Sequence, residues 1–212
     1  MGVDGPAPGS PDLTCRRGRA TVPTMIGPSF PAVLAAAQRG DEQAFAVLWR
    51  ELQPAVLRYL RVAAPEAAED LAADTWVSVL RGLARFRGDE QGFRALIFTA
   101  ARHRALDWRR QSSRRQAASV PIEDLYDRPA PDDPAEAVLE AQSTRAALAL
   151  IAELPRNQAE VVTLRMVAGL DVAQVARIVG KRPGAVRTLT HRGLRRLAQR
   201  LAAVEPTRRV TP

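Results

Sequence analysis

VAQVARIVGKRPGAVRTL, residues 172–189, is the stretch on which the reading of this chain turns. Asp171 stands just ahead of it and Gln174 lies three residues further on, the pair that forms a capping box at a helix start. Gly180 sits where that helix should end on a left-handed residue. Pro183 then offers a favoured first-turn position for a second helix. Ala176 is small and Val186 is apolar, so the two helices can cross closely about a tight turn. That arrangement is a helix-turn-helix. The second helix buries Val186, Leu189, Gly193 and Leu197 at helical spacing, while its other face carries Arg187, Thr188, His191, Arg192, Arg195 and Arg196. From Arg177 to Arg200 there are eight basic side chains and no acid. A helix laid in a major groove needs donors for base edges near its N-terminus and cations for phosphates along its flanks. A solvated cationic face is the ordinary reading of such a run; the turn that precedes it favours DNA.

Working outward, the whole chain has 212 residues, 46% hydrophobic and 25% charged, a globular mix. Aromatics make up only 5%, so Leu, Val and Ala must fill most of the core. The net charge of +8 is unevenly placed: residues 141–212 hold 13 basic and 4 acidic groups, whereas residues 111–140 hold 3 and 7. A basic third behind an acidic, proline-bearing spacer points to a unit that meets a polyanion. Cys15 is the only cysteine, which excludes internal disulfides, and with only His103 and His191 beside it no Cys/His zinc site is available. No apolar run approaches the roughly 18 residues that span a bilayer, and no signal-peptide core follows Arg16. A soluble, cytosolic chain without membrane insertion is expected.

Residues 1–29, rich in Gly, Pro, Ser and Thr, read as a disordered tail. From Phe30 the pattern is helical. Asp41 is placed to cap a helix whose buried stripe is Phe45, Leu48, Trp49, Leu52, Val56 and Leu60, with Pro54 expected to kink or restart it. A second helix opens at Pro65, with Glu66, Glu69 and Asp70 near its positive end and Ala72, Trp76, Val79, Leu80 and Leu83 as its apolar stripe. The segment Arg85–Gly92 reads as a loop. A third helix, from about Phe93 to Arg110, buries Phe93, Ile97, Ala101, Ala105 and Trp108. Residues 113–140 hold Pro121, Pro129, Pro131 and Pro134 and read as a linker, with a short turn at 122–126. Helices resume at about 143–153, 156–167, 171–179 and 183–202. The fold expected is all-α: two small helical domains, 30–112 and 141–203, joined by a flexible linker, with a short tail at 204–212.

Residues 68–80 (AEDLAADTWVSVL), 93–110 (FRALIFTAARHRALDWRR) and 154–197 together resemble bacterial RNA polymerase sigma factors of the extracytoplasmic-function group. The resemblance spans roughly residues 30–203. It implies that Glu69, Asp70, Leu71, Asp74 and Trp76 dock on core RNA polymerase. It also implies that Phe86 and Arg87, in the loop, and Arg102, His103, Asp107, Arg109 and Arg110, on the following helix, meet the melted minus-ten strand. Arg182, Pro183, Gly184, Arg187, Thr188, His191, Arg192, Arg195 and Arg196 are implied to read the minus-thirty-five element. The implied partners are core RNA polymerase, promoter DNA and, as a candidate, an anti-sigma factor; no cofactor and no catalysis are implied.

Two other readings fit part of the chain. The acids Glu66, Asp70 and Asp74 at four-residue spacing could hold magnesium, as in all-helical isoprenoid enzymes. Against this, there is no second acidic helix and no basic phosphate pocket nearby, so no metal is expected. A stand-alone helix-turn-helix regulator with a helical dimerisation or effector domain accounts equally well for the C-terminal third. It leaves the Glu69/Asp70 face and the arginine-bearing helix without a use.

Overall fold

The computed structural model describes residues 26–118 and 135–204, with side chains placed over 26–115 and 142–202. Most of the expected tail, the core of the expected linker with its turn at 122–126, and residues 205–212 lie outside the described residues. Among the described residues there is no β-strand. The N-terminal unit holds α1 (Phe30–Gln38), α2 (Glu42–Ala63), α3 (Ala68–Leu83) and α4 (Glu90–Ala118). The C-terminal unit holds α5 (Ala135–Ala152), α6 (Arg156–Met166), α7 (Val172–Val179) and α8 (Pro183–Val204). Helix thus takes in both ends of the segment 113–140, where a linker is expected.

Asp41 caps α2, its carboxylate accepting from the Gln43 and Ala44 N–H groups at 2.9 and 3.0 Å. The helix does not restart at Pro54; α2 runs through it. Proline costs one backbone bond, but Leu52, Ala55 and Val56 on either side are fully packed, and that burial outweighs the loss. Trp49 and Leu80, expected on buried stripes, are instead 41% and 48% exposed. Each lies one residue off the line that is buried, a rotation of about 100° around the helix. The N-terminal end of the unit begins earlier than the pattern predicts. Ile26 and Gly27 donate their N–H groups to the buried Glu90 carboxylate at 3.1 and 3.0 Å, anchoring a 3₁₀ turn at Gly27–Ser29. α4 starts three residues ahead of Phe93, inside the expected loop, with Asp89 Oδ1 accepting from the Gly92 N–H at 2.7 Å.

The helix-turn-helix is built as its residues dictate. Asp171 and Gln174 form both halves of the capping box, and Gly180 closes α7 at φ 66°, ψ 37°. Gly193 makes possible the crossing of α8 over α6: a Cβ there would lie 2.6 Å from Val162 Cγ2. The two units pack against each other. One buried cluster runs from Tyr59 and Phe98 in the N-terminal unit to Leu164, Leu170 and Val175 in the C-terminal one, and α2 packs on α5 and α6 while α4 packs on α7.

Candidate nucleic-acid interface

Among the described residues nothing covers the polar face of α8. Arg182, Pro183, Gly184, Arg187, Thr188, His191, Arg192 and Arg195 are all exposed, while Val186 is fully buried beneath them. The Thr188 hydroxyl donates to the Gly184 carbonyl at 3.0 Å and is held along the helix. Arg196, expected on DNA with the others, is partly committed elsewhere: Nη1 donates to Gln158 Oε1 of α6 at 3.1 Å. Arg200, one turn on, pairs with Glu153. Among the described residues the cations near the start of α8 meet no partner, and those near its end also tie it to its neighbours.

The acidic face of α3 divides into two kinds of residue. Glu69, Asp70 and Asp74 are exposed. Glu69 meets Arg61 at 3.2 Å with both side chains more than half exposed, a pair worth little. Leu71 and Trp76 are expected on the same contact surface, and the structure corrects this: both are buried. Trp76 stands edge-on to Phe45 at 5.8 Å and donates its indole N–H to Gln53 Oε1, so it positions the face from beneath. Asp70, Asp74, Val77 and Leu80 follow one another along a single exposed stripe. The apolar end of that stripe escapes a sequence reading because Leu80 fits an amphipathic core pattern equally well. Among the described residues no group of three or more His, Cys, Asp or Glu could hold a metal.

The loop before α4 places Phe86 half-buried, edge-on to Phe93 at 5.4 Å. Its ring fills the space over Gly88, where a Cβ would come within 2.9 Å of it. Arg87 folds back on the loop, donating to the Ala84 and Phe86 carbonyls at 3.0 and 2.7 Å. Beside them Val79, Gly82, Arg85, Phe86, Leu96 and Ala100 line a shallow, mostly apolar groove of about 200 Å³. On α4 itself His103, Asp107 and Arg110 are exposed, Asp107 and Arg110 being 3.5 Å apart. The other two arginines expected on the minus-ten strand are not free. Arg102 Nε meets Glu160 Oε1 of α6 at 2.8 Å, both side chains only 19% exposed. Arg109 donates to the Ala63 carbonyl at the wall of a cavity of about 230 Å³ between the two units. Burial and the nearby Arg156 guanidinium pull the Arg109 pKa below the usual arginine range.

A third arginine of α4, which sequence reasoning passes over, is the most buried. Arg94 is 3% exposed and donates from Nη1 to the Ala168 carbonyl at 3.3 Å, and among the described residues its Nε and Nη2 have no hydrogen-bond partner. Burial lowers its pKa, opposed by the Glu90 and Glu51 carboxylates. Nothing in a one-dimensional pattern marks Arg94 as buried, because its cover comes from the other unit.

Comparison with known proteins assigns both halves. Residues 48–115 match the family described as sigma-70 region 2, and residues 144–197 match sigma-70, region 4. The chain is 35% identical over 185 residues to the ECF RNA polymerase sigma factor ShbA of Streptomyces griseus, covering 82% of this chain and 94% of that protein. It is 34% identical over 187 residues to the ECF RNA polymerase sigma factor SigD of Mycobacterium tuberculosis, covering 85% and 87%. Among solved structures, the sigma factor RpoE in complex with the anti-sigma factor NepR, from Bartonella quintana, aligns with a TM-score of 0.57 at 21% identity, over 74% of this chain and 96% of that one. That last likeness is one of fold.

Proposed function

This chain belongs to the extracytoplasmic-function group of RNA polymerase sigma factors, and on that premise we propose how its surfaces divide the work of promoter-specific initiation. An alternative sigma factor needs a dock on the polymerase and readers for two promoter elements. The exposed stripe Glu69, Asp70 and Asp74, continued by Val77 and Leu80, is the proposed dock: a basic partner helix with apolar residues would meet charge at one end and contact area at the other. Leu71 and Trp76 hold its shape.

The groove beside Phe86 and Leu96 is the proposed seat for a base drawn out of the melted minus-ten strand. Flipping costs a few kcal/mol, which stacking and base-edge hydrogen bonds must offset. His103, Asp107 and Arg110 lie exposed along the adjoining helix, and Arg102 and Arg109 would join them on the backbone. For the minus-thirty-five element, Arg182, Arg187 and Thr188 at the start of α8 face the base edges, with His191, Arg192 and Arg195 following toward phosphate. The proposed partners are core RNA polymerase, promoter DNA and, by likeness to the neighbour solved with NepR, an anti-sigma factor; the chain acts as a specificity subunit and not as an enzyme. Among the described residues no helix is long and apolar enough to cross a membrane.

The observation that carries this reading is the bare acidic stripe on α3 standing in the same chain as two arginine-bearing reader helices. A stand-alone regulator has no use for it. The test is stoichiometry: the chain should be monomeric and co-purify with core RNA polymerase in the absence of DNA. A dimer that binds a palindrome by itself and ignores the polymerase contradicts the proposal.

A further inference from the structure

Three guanidinium groups and a buried phenol converge on the cavity of about 230 Å³ between the two units. Arg102 and Arg109 come from α4, two turns apart on one face, and Arg156 from the first turn of α6. Tyr59 lines the cavity from α2; it is 2% exposed, and among the described residues its hydroxyl has no hydrogen-bond partner. Glu160 is the one carboxylate among the described lining residues, so three positive charges face one negative. Arg102 meets that carboxylate through Nε at 2.8 Å, and Arg109 spends Nη2 on the Ala63 carbonyl. Among the described residues the Arg156 guanidinium makes no hydrogen bond, and both α4 arginines keep further N–H groups without one. The surplus of positive charge is felt inside. Burial, and then Arg156, holds the Arg109 pKa below the usual arginine range. Burial, and then Glu160, raises the Tyr59 pKa against the pull of the three arginines, so the phenol keeps its proton and can donate it in a hydrogen bond.

We propose that this cavity is a binding site for a small diphosphate, either free pyrophosphate or the diphosphate end of an ester whose body leaves through the mouth. Partly buried cations without partners are costly, and an anion that joins them removes the cost. Guanidinium forks take phosphate oxygens two at a time. Arg102 and Arg109 leave the helix about 10 Å apart along its axis, a span that two linked phosphoryl groups cover better than one compact anion. The cavity is smaller than the roughly 300–1,000 Å³ that encloses a drug-sized ligand, so only a small group enters it whole. Ala152 and Arg156 are exposed at its mouth, which leaves a way out for the rest of an ester. Arg102, Arg109 and Arg156 hold the phosphoryl oxygens, and the Tyr59 hydroxyl donates from within. Glu160 orients Arg102 but opposes the charge of the ligand, and so sets the affinity lower than the arginines alone would. The site does not depend on the sigma-factor reading, and its occupancy is measured on the chain by itself.

The test is calorimetric titration of the full chain with sodium pyrophosphate, ADP and sodium sulfate, at about 0.15 M salt and without divalent metal. Pyrophosphate should bind one to one and at least about tenfold more tightly than sulfate, since it reaches one more charged donor. ADP binding of similar strength assigns the site to diphosphate esters; pyrophosphate binding without ADP binding assigns it to the free anion. Arg156→Ala, at the exposed mouth, should weaken binding at least about tenfold with thermal stability kept. Tyr59→Phe should weaken it by a smaller factor. Glu160→Gln should tighten it, the opposite of what loosened packing would do. Should that variant fail to fold, Arg156→Glu adds a negative charge at the mouth instead and should abolish binding. Wild-type affinity in Arg156→Ala, or in Arg156→Glu, overturns the proposal. So does a loss of binding in Arg187→Ala that Arg156→Ala does not share, because the anion then sits on α8. No saturable binding of either diphosphate up to about 1 mM, by heat or by a shift in thermal unfolding, refutes the site outright.

Discussion

The two proposed reader helices, α4 and α8, carry the same chemistry and meet opposite surroundings. On α8 the arginines nearest the helix start are exposed, and among the described residues only Arg196 and Arg200, toward its end, reach back to their own unit. On α4 Arg94 and Arg102 are held by the neighbouring unit and Arg109 by the Ala63 carbonyl of its own, while His103, Asp107 and Arg110 stay exposed. The difference teaches that arginine count on a helix face does not measure readiness to bind. What matters is which packing partner already satisfies the guanidinium groups.

The N-terminal unit offers the largest effect with which to break this contrast. Its proposed dock is as exposed as the face of α8, so Asp70→Arg should act without rearrangement: charge reversal on an exposed face costs the fold little but opposes a basic partner. Loss of core-polymerase binding with an unchanged circular dichroism spectrum is expected. Normal affinity moves the dock off α3.

Within α8 the contrast sharpens between its own arginines. Arg187→Ala should change which minus-thirty-five sequences are used, at about 1–3 kcal/mol if the pairing is bidentate to guanine. Arg192→Ala or Arg195→Ala should weaken all promoters alike and flatten the salt dependence by about 0.9 in log–log slope for each phosphate no longer neutralised. A promoter library transcribed at several salt concentrations separates the two outcomes. Arg196→Ala should in addition lower thermal stability, because it leaves Gln158 without that donor; equal stability would make Arg196 a free DNA-binding cation after all.

Gly193→Ala probes the scaffold under the bare helix. The added methyl meets Val162 Cγ2 at 2.6 Å, so α8 must shift off α6 or Val162 must turn. A loss of about 1–3 kcal/mol in chemical unfolding is expected. Asp171→Ala should cost less, about 1 kcal/mol, by removing the cap of α7. Wild-type stability in both variants would show that the helix-turn-helix is held mainly by its seat on α4.

These residues also show what can be read in one dimension. Asp171, Gln174, Gly180 and Pro183 each act through local backbone geometry, so the spacing alone specifies the turn, and the structure follows it. The periodic stripes of α2, α3 and α4 are legible for the same reason, down to Phe93, Ile97 and Ala105. The misplaced residues are those whose surroundings come from far along the chain. Leu71 and Trp76 fall in the segment expected to dock but point inward, and Trp49 and Leu80 sit beside the buried line rather than on it. Arg94 and Arg102 are covered by residues more than fifty positions away, at Ala168 and Glu160. No window of sequence contains both partners of such a pair.

The most direct test of the account is run-off transcription with purified core RNA polymerase, this chain and a template library carrying varied minus-ten and minus-thirty-five elements. The account predicts transcripts only when the chain is present, from a subset of templates defined at both elements, with the minus-thirty-five preference altered by Arg187→Ala. Transcripts independent of the chain, or selection at one element only, would contradict the claim that a single chain carries both readers and the dock.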